Sequence, residues 1–303
     1  MTWLQGLASL SAGTVSPDEP LAPKTSVRAG GRAEAFFRPS SAEGLVCALR
    51  FVREQALALH VLGGGANTLV GDRGVQGVTV QLPSRLFPEE VHPDGRDLLV
   101  TLGAGAPIAR LLVLMKAHRL TGAEFLAGIP GTLGGAVTMN AGTKAGECMS
   151  AVDAVEVATV EGLAWLPRAK IPVAYRESRL PSHSVITRVR FRLVPGDLER
   201  SRIQMEEDLA YRKRTQPLSL PNFGSVFRNP PGAYAGQLIE EAGLKGLTAG
   251  KAQVSAMHAN WMVNLGGAAA ADFDALIDEA RRVVRERSGM VLHPEVKRAG
   301  VFL

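Results

Sequence analysis

Three glycine-rich segments lie in the first half of the chain. They are Gly63-Gly64-Gly65-Ala66-Asn67, Gly103-Ala104-Gly105, and a longer segment from Gly128 through Gly135 to Asn140-Ala141-Gly142. Because glycine has no Cβ atom, successive backbone N–H groups can converge on an anion, and the backbone can approach a flat ring closely. One such loop is usually a tight turn, but three of them in the same half of the chain favour the binding of a phosphate-bearing cofactor.

The spacing of these glycines disfavours two common nucleotide sites. No segment matches the phosphate loop G-x-x-x-x-G-K-[ST], and none has the G-x-G-x-x-G spacing that leads into a helix with an acidic residue downstream. We therefore do not expect a kinase, a GTPase or a dinucleotide-binding protein of the common type.

The composition is that of an ordinary folded protein. The chain has 303 residues, of which 46% are hydrophobic and 21% charged, and this length predicts about two domains. The net charge of +5 comes with many arginines, which bind phosphate or carboxylate well, so an anionic partner is plausible. The basic residues are dispersed along the sequence, however, and we expect no nucleic-acid partner.

No segment predicts export, a membrane span or a metal site. A signal peptide would begin with a basic segment, but no lysine or arginine precedes Lys24. The most apolar stretch, 108–115, is interrupted by Arg110, so it does not predict a membrane span. Cys47 and Cys148 lack metal-site spacing, and we expect both to be small buried hydrophobic residues in a reducing compartment. These features predict a cytoplasmic protein without membrane insertion and without a bound metal.

Periodic patterns predict the elements that position the glycine segments. Residues 32–38 have the pattern of a strand, Ser40 and Glu43 form a capping box for the next helix, and 60–62 resume a strand before the first glycine segment. Pro107 opens a second helix. Residues 185–193 alternate between apolar side chains and arginines, which predicts a strand with one buried and one solvated face.

Three other segments predict boundaries. Residues 1–24 contain several helix and strand breakers, and we expect a loose N-terminal arm. Pro195-Gly196-Asp197 predicts a domain boundary, because it ends a strand and supplies a helix N-cap. The last helix, 272–288, has an apolar stripe and ends at Gly289.

Six motifs, taken together and in this order, resemble those of a known enzyme family. They are Thr25-Ser26-Val27-Arg28-Ala29-Gly30-Gly31, the first glycine segment, 128–142, Tyr175-Arg176-Glu177-Ser178, Gly224-Ser225-Val226-Phe227-Arg228-Asn229-Pro230 and Pro294-Glu295-Val296. Their order and spacing resemble the UDP-N-acetylenolpyruvoylglucosamine reductases (MurB) over nearly the whole chain after Thr25. Since the interval from Arg176 to Ser225 shows no insertion, the chain is most similar to the shorter type of this family, which lacks an inserted tyrosine loop.

The resemblance implies an α+β fold in three parts. Two subdomains with the FAD-binding fold of the vanillyl-alcohol-oxidase (PCMH-like) flavoenzymes would hold FAD non-covalently, and a C-terminal α+β domain would bind the substrate. After the arm at 1–24, these parts are expected at 25–83, 84–196 and 197–303, one more than the length alone predicts. A C-terminal strand would return Glu295 to the active site. The residues that match the family's cofactor loops are Gly63, Gly64, Gly65, Ala66, Asn67, Thr68, Gly128, Ile129, Pro130, Gly131, Gly134, Gly135, Asn140 and Gly142.

The resemblance also implies a reaction. NADPH would reduce the flavin, and a hydride would then pass to the enolpyruvyl double bond of UDP-N-acetylglucosamine enolpyruvate, giving UDP-N-acetylmuramate for peptidoglycan synthesis. Arg176 would bind the substrate carboxylate and stabilise the enolate-like intermediate, Glu295 would share that role, and Ser225 would donate the proton. The residues expected to contact the substrate are Tyr175, Lys213 and Asn229.

Other functions remain open at this point. Taken without the resemblance, Arg176, Ser225 and Glu295 are more typical of a surface ion pair, a turn and a strand-end acid. One alternative is another FAD-dependent oxidoreductase of the same fold that acts on an alcohol or hydroxy acid. A second is a flavin-binding or nucleotide-sugar-binding module without catalysis. In each case we expect a monomer.

Overall fold

The computed structural model describes residues 2–302, in which short strands and helices alternate. The helices are α1 (Trp3–Ser9), α2 (Ala42–Glu54), α3 (Ile108–Ala117), α4 (Leu133–Thr138), α5 (Cys148–Ala151), α6 (Leu198–Thr215), α7 (Ala235–Glu241) and α8 (Ala270–Ser288). The strands are β1 (Gly13–Pro20), β2 (Arg32–Pro39), β3 (Leu59–Val61), β4 (Thr68–Val70), β5 (Val75–Val80), β6 (Glu90–Asp94), β7 (Asp97–Gly103), β8 (Leu120–Thr121), β9 (Gly142–Thr143), β10 (Gly146–Glu147), β11 (Val152–Thr159), β12 (Gly162–Pro167), β13 (Val173–Ala174), β14 (Glu177–Ser178), β15 (Val185–Pro195), β16 (Asn222–Ser225), β17 (Thr248–Ala249), β18 (Ala252–Val254), β19 (Trp261–Asn264) and β20 (Lys297–Ala299).

These elements form two compact units. The first contains 2–17, 35–64 and 77–210, and the second contains 18–34, 65–76 and 211–302. Each unit has its own cluster of buried apolar side chains. The boundaries expected at 83 and 196 remain predictions.

The first unit is built on an antiparallel sheet. Its strands pair in the order β12-β11-β15-β7-β6, and β8 pairs with the end of β15. A further sheet has the order β1-β2-β5-β3, in which β3 runs parallel to β5. Helix α2 packs on β11 and β12 and buries Leu45, Leu49 and Val52. The strand at 32–38 and the helix after it are therefore confirmed.

Helix α2 differs from its prediction in two details. Ser41, not Ser40, caps the helix by accepting from Gly44 N at 3.0 Å, because Ser40 is held by Ala12 O through both its N–H and its hydroxyl. Cys47 is exposed, since it faces away from the buried stripe of the helix, so the expectation of a buried residue is wrong there. Cys148 is buried as expected, and burial raises the pKa of its thiol to about 12.

The expectation of a loose N-terminal arm is wrong for residues 2–24. Thr2 and Gln5 form a capping box that begins α1, and Leu7 on this helix is buried. Strand β1 follows and pairs with β2, so its breakers lie in an edge strand, where proline is tolerated. Sheet pairing thus orders a segment whose local pattern favours no structure.

The predicted two-faced strand is confirmed in β15. Val189, Phe191 and Leu193 are buried, while the arginines that alternate with them form ion pairs on the other face. Arg188 contacts Glu156 at 2.7 Å and Glu90 at 3.3 Å. The remaining pairs on this face are Arg190–Asp153, Arg192–Asp153, Arg192–Asp94 and Arg192–Asp97.

We expect the carboxylate of Glu156 to stabilise the first unit above acidic pH. Burial opposes its charge, but hydrogen bonds from Arg188 and Thr187 outweigh burial and hold its pKa below the ordinary range. A lowered carboxyl pKa gives stability that is complete above the unfolded value of about 4.3 and is lost as the pH falls through the folded value. Glu156→Gln should therefore cost about 2 kcal/mol at pH 7 in urea unfolding, with the difference from wild type shrinking below pH about 4. The control is Glu161→Gln at an exposed position, which should leave the urea midpoint of unfolding unchanged. Equal losses of stability in the two variants would contradict the role of the Glu156 carboxylate.

The second unit combines a small antiparallel sheet with two helices. Its strands pair in the order β16-β19-β18-β17, and α8 packs on β17, β18 and α7. A separate pair joins β20 parallel to β4, with Lys297 opposite Thr68. Helix α8 buries the predicted apolar stripe and ends at Gly289 in the left-handed conformation, φ 72°. The prediction for this helix is confirmed, apart from a start two residues earlier.

A carboxylate from a distant segment begins α8. Asp72 accepts from Ala270 N and Ala271 N, each at 2.8 Å, and Asp272 accepts from Ala269 N at 3.0 Å. These bonds satisfy N–H groups that the first turn of a helix leaves without partners, and they place negative charge at the positive end of the helix dipole. Asp72 therefore ties the segment after β4 to the longest helix of its unit. Within residues 2–302, none of the helices is long and apolar enough to cross a membrane.

Asp72→Asn should destabilise the second unit. We expect a loss of about 1–2 kcal/mol in the free energy of unfolding, since an amide oxygen replaces a carboxylate that caps two N–H groups. Denaturant titration followed by circular dichroism measures this loss. On the same helix, exposed Asp278→Asn removes only a long contact with Arg281 and should cost less than about 0.5 kcal/mol. Similar losses from both variants would show that Asp72 has no special role.

Candidate active site

In the first unit, two of the predicted glycine segments meet at their backbones. The first segment follows β3, and the other leads into α4. A Cβ atom on Gly64 would lie 2.8 Å from Gly131 Cα, and one on Gly63 would lie 2.6 Å from Thr132 Oγ1. Gln81 Nε2 also donates to Gly63 O at 2.9 Å. Only glycine allows this approach, so the segments are more than independent turns.

The contact leaves backbone donors available to a ligand. Throughout residues 2–302, no protein acceptor is found for the N–H groups of Gly64, Gly131 or Thr132. Gly131 has φ 112° and Gly128 has φ 71°. A residue with a side chain would be strained in either backbone conformation. Backbone amides that lack a protein acceptor can bind an anion without carrying a formal charge.

The segment Gly103-Ala104-Gly105 has a different role. A Cβ atom on Gly105 would lie 2.5 Å from Leu82 O, and Ala104 O accepts from Gly134 N at 2.8 Å. This segment thus supports the start of α4, as expected for a tight turn. Gly134 packs on it, whereas a Cβ atom on Gly135 would meet only Thr132 Oγ1, at 3.5 Å. The last two glycine-segment residues predicted to bind the cofactor, Asn140 and Gly142, lie beyond α4, where Gly142 begins β9.

Arg176 lies at the tip of a short hairpin in the first unit. Strands β13 and β14 pair through Ala174 and Glu177, which leaves Tyr175 and Arg176 as a two-residue turn. Arg176 has φ 60°, an uncommon value for a residue with a side chain. Its Nη2 donates to Gly142 O at 3.0 Å, and its Cζ lies 5.0 Å from the centroid of the Tyr175 ring. The structure therefore joins three of the predicted site residues.

In the second unit, Ser225 and Glu295 lie on neighbouring segments. Ser225 ends β16 after Gly224, which has φ 79°, and Glu295 N donates to Val226 O at 2.7 Å. An isolated bridge pairs Phe227 with Pro294 in the same region. These bonds bring together the two predicted catalytic residues that lie farthest from the glycine segments in the sequence.

Asn67 supports this arrangement through its side chain. Its Nδ2 donates to Glu295 O at 3.2 Å, and its backbone O accepts from Lys297 N at 3.0 Å. Thr68 continues the same parallel pairing in β4. Gly65, with φ 64°, accepts from Ser26 N at 3.1 Å. The structure therefore assigns Asn67 at least one role beyond the expected cofactor contact, that of holding the Glu295 segment.

The other predicted substrate residues have less distinctive surroundings. Asn229 Oδ1 accepts from Ala235 N at 3.0 Å and so caps the start of α7. Lys213 is exposed in the last turn of α6. Ile129 and Pro130 lie between the two left-handed glycines at 128 and 131, and Ala66 follows Gly65.

Two residues that position this region are missing from the sequence prediction. Asn260 bonds both backbone groups of Phe227, accepting from its N–H at 2.9 Å and donating to its O at 2.8 Å. Ser26 Oγ donates to Asn222 O at 2.6 Å, at the start of the strand that ends in Ser225. Ser26 lies within the motif at 25–31, whereas Asn260 has no local signal because its partner is 33 residues away.

Two models of known protein families match separate parts of the chain. A model of FAD-binding domains matches residues 33–165, and a model of the C-terminal domain of UDP-N-acetylenolpyruvoylglucosamine reductase matches 216–299. The reductase of Myxococcus xanthus is 59% identical over 295 residues, which cover 97% of this chain and 95% of that one. The chain belongs to the UDP-N-acetylenolpyruvoylglucosamine reductase family.

The chain is also similar to other members of the reductase family in sequence and in structure. The reductase of Halalkalibacterium halodurans is 39% identical over 299 residues, which cover 98% of each chain. The crystal structure of the Thermus caldophilus enzyme matches with a TM-score of 0.80 and 34% identity, covering 95% of this chain and 99% of that one. The predicted α+β fold with an FAD-binding domain is confirmed.

The glycine contact fits the cofactor of the reductase family. FAD carries a pyrophosphate, and the N–H groups of Gly64, Gly131 and Thr132 have no acceptor within residues 2–302. Gly64 is exposed and Gly131 and Thr132 are partly exposed, so their amide dipoles are accessible to such a group. Among the described residues, no group of three or more His, Cys, Asp or Glu side chains could hold a metal ion.

Gly64→Ala should weaken FAD binding, because its Cβ atom would collide with the backbone of Gly131 and push the two loops apart. Strain of this kind is expected to raise the dissociation constant on the order of tenfold or more. Flavin fluorescence titration of the apoprotein measures the constant, and visible absorbance reports the flavin retained after purification. The control is Gly103→Ala, whose Cβ atom would meet only Phe87 at 3.4 Å. If Gly64→Ala bound FAD with unchanged affinity, the contact between Gly64 and Gly131 would not be needed for cofactor binding.

Proposed function

We propose how the residues of this chain perform the family's reaction, the NADPH-dependent reduction of UDP-N-acetylglucosamine enolpyruvate to UDP-N-acetylmuramate. Bound FAD supplies the hydride that reaches the enolpyruvyl double bond. Addition of the hydride at the terminal carbon places negative charge on the carbon beside the carboxylate. The protein must therefore stabilise that charge and deliver a proton to the same carbon.

Arg176 binds the substrate carboxylate in this proposal. Its guanidinium stays protonated at any working pH and can form two parallel bonds to a carboxylate. The hairpin turn and the bond to Gly142 O support the role, because they restrict a long side chain that would otherwise be flexible. Charge stabilisation by a fixed donor is more effective than by a mobile one.

Ser225 donates the proton in this proposal. Within the described chain, no protein partner is found for its hydroxyl, so its proton is not engaged elsewhere. The backbone around it is well fixed: Val226 N donates to Asn260 O at 2.9 Å, and Val226 O accepts from Glu295 N. A hydroxyl is a weak acid, and a fixed position next to the developing carbanion is what makes the transfer efficient.

Glu295 assists the same step. Its backbone N–H and C=O are both bonded, to Val226 and Asn67, so the segment that carries its side chain is held beside Ser225. This bonding is the observation that carries the proposal in the second unit. A carboxyl group near an enolate helps only when it is protonated or paired with a cation, and either state would suit the chemistry.

The remaining roles extend the proposal. Lys213 and Asn229 bind the diphosphate and nearby parts of the nucleotide sugar, and Tyr175 packs beside Arg176 at the substrate. We further propose that the protein works as a monomer in the cytoplasm, that it binds no nucleic acid, and that the substrate-binding part begins near residue 197. The chain is of the shorter family type, so closure over the substrate does not use an inserted tyrosine loop.

Ser225→Ala should separate the two half-reactions. We expect flavin reduction by NADPH at nearly the wild-type rate, and substrate reduction slower by on the order of 10²–10⁴-fold, the usual contribution of a positioned acid. Anaerobic stopped-flow absorbance measures each half separately. The control is Ser288→Ala, whose hydroxyl donates to Val284 O and accepts from Met290 N at the end of α8, and it should leave both halves unchanged. An equal slowing of both halves in Ser225→Ala would remove Ser225 from the proton-donor role.

A further inference from the structure

Asn140 is a buried residue whose side-chain amide is fully engaged within the protein. Only 1% of its surface is exposed, and it has φ 40°, a left-handed value that asparagine tolerates better than most residues. Its Oδ1 accepts from Met149 N at 3.1 Å. Its Nδ2 donates to Glu147 Oε2 at 2.7 Å and to Ala174 O at 3.3 Å. Both donor hydrogens of the amide are therefore used, and neither is left for a ligand.

The bond to Ala174 connects this residue to the Arg176 hairpin. Ala174 is the last residue before the turn and pairs with Glu177 on the other side. The same region of the first unit contacts the guanidinium, because Gly142 O accepts from Arg176 Nη2. Residues 140–142 thus hold the hairpin at its backbone and Arg176 at its side chain.

The hairpin needs such support. Each of its strands has two residues, and an isolated two-stranded hairpin is marginal in water. Tyr175 in the turn is 45% exposed, so packing on this ring fixes the turn only in part. Arg176 has φ 60°, and a strained backbone of this kind persists only where the surrounding structure determines it.

We propose that Asn140 is a positioning residue for Arg176. Its side chain acts through the hairpin backbone and not by direct contact with FAD, which revises the expectation from the family resemblance for this side chain. The inference rests on the proposed role of Arg176 in binding the substrate carboxylate. It implies that the rate of substrate reduction depends on one amide hydrogen donated to Ala174 O.

Three variants separate this bond from the others. Asn140→Asp keeps the size of the residue and its tolerance of positive φ, but it loses both donors and places a second carboxylate beside Glu147. Glu147→Gln keeps an oxygen that accepts from Asn140, so both Nδ2 bonds remain. The double variant Asn140→Asp with Glu147→Gln lets the new amide donate to the new carboxylate. It restores the 140–147 bond in reverse and still leaves Ala174 O without its donor.

The half-reactions give the first readout. We expect Asn140→Asp and the double variant to reduce substrate 10- to 100-fold more slowly, the order expected when a catalytic group is misplaced by about 1 Å. Flavin reduction by NADPH and the dissociation constant for FAD should stay close to wild type, as should every parameter of Glu147→Gln. Recovery of substrate reduction in the double variant would overturn the proposal, since it would confine the role of Asn140 to its own loop. Parallel loss of both half-reactions or of FAD would also overturn it.

Amide hydrogen exchange of residues 173–178 gives a second readout that needs neither substrate nor turnover. The hairpin should exchange faster in Asn140→Asp and in the double variant but not in Glu147→Gln. Asp153→Asn is the matched control for general destabilisation, because it breaks ion pairs of the same unit on the outer face of the sheet. Unchanged exchange in the double variant would overturn the proposal even if catalysis fell. If wild-type enzyme failed to reduce the substrate, the proposed function would fail while the exchange result still judged the link from Asn140 to the hairpin.

Discussion

The close approach of two backbones, Gly63-Gly64 and Gly131-Thr132, is the constraint on which the first unit depends. It fixes where β3 ends and where α4 begins, and no side chain larger than hydrogen fits at Gly64 without moving Gly131. Within residues 2–302, the arrangement leaves the N–H groups of Gly64, Gly131 and Thr132 without protein acceptors, and unpaired N–H groups are costly unless water or a ligand satisfies them. A pyrophosphate would supply acceptors at this point, so cofactor binding and the stability of these loops are expected to be coupled.

The same series of contacts extends from the glycine segments to Arg176, the residue proposed to bind the substrate carboxylate. Helix α4 ends just before Asn140, whose amide holds Ala174, and Gly142 O holds the guanidinium of Arg176. In the second unit, asparagine amides also bond to the backbone of distant segments. Asn67 donates to Glu295 O, and Asn260 bonds both backbone groups of Phe227. An amide can donate and accept at once, so it can replace a missing strand partner in an irregular segment. These bonds fix the backbone around Ser225, which its proposed role as proton donor requires.

The sequence predicts those features that depend on local pattern. Strand β15 and helix α8 follow from alternation and from an apolar stripe, and both are found. The prediction of a loose arm is wrong for residues 2–24, because β1 pairs with β2. This long-range contact overrides a local pattern that contains several breakers. The Ser41 cap was missed for a similar reason, since Ala12 O takes the Ser40 hydroxyl. The catalytic candidates came only from family motifs, because a single arginine, serine or glutamate has no local signal. The link from Asn140 to Ala174 joins positions 34 residues apart and needed the structure.

The contrast between the arginines explains why net charge is a poor guide to this protein's ligands. Arg188, Arg190 and Arg192 are paired with carboxylates on the outer face of β15, so their charges are largely neutralised and mark no anion site. The glycine loops carry no formal charge, yet their amides are suited to bind a pyrophosphate with dipoles that do not titrate. A guanidinium is then needed only where negative charge develops during the reaction. In the proposed mechanism, the position of Arg176, held by Gly142 O and by the bond from Asn140 to Ala174 O, therefore matters more for catalysis than the surplus of basic residues.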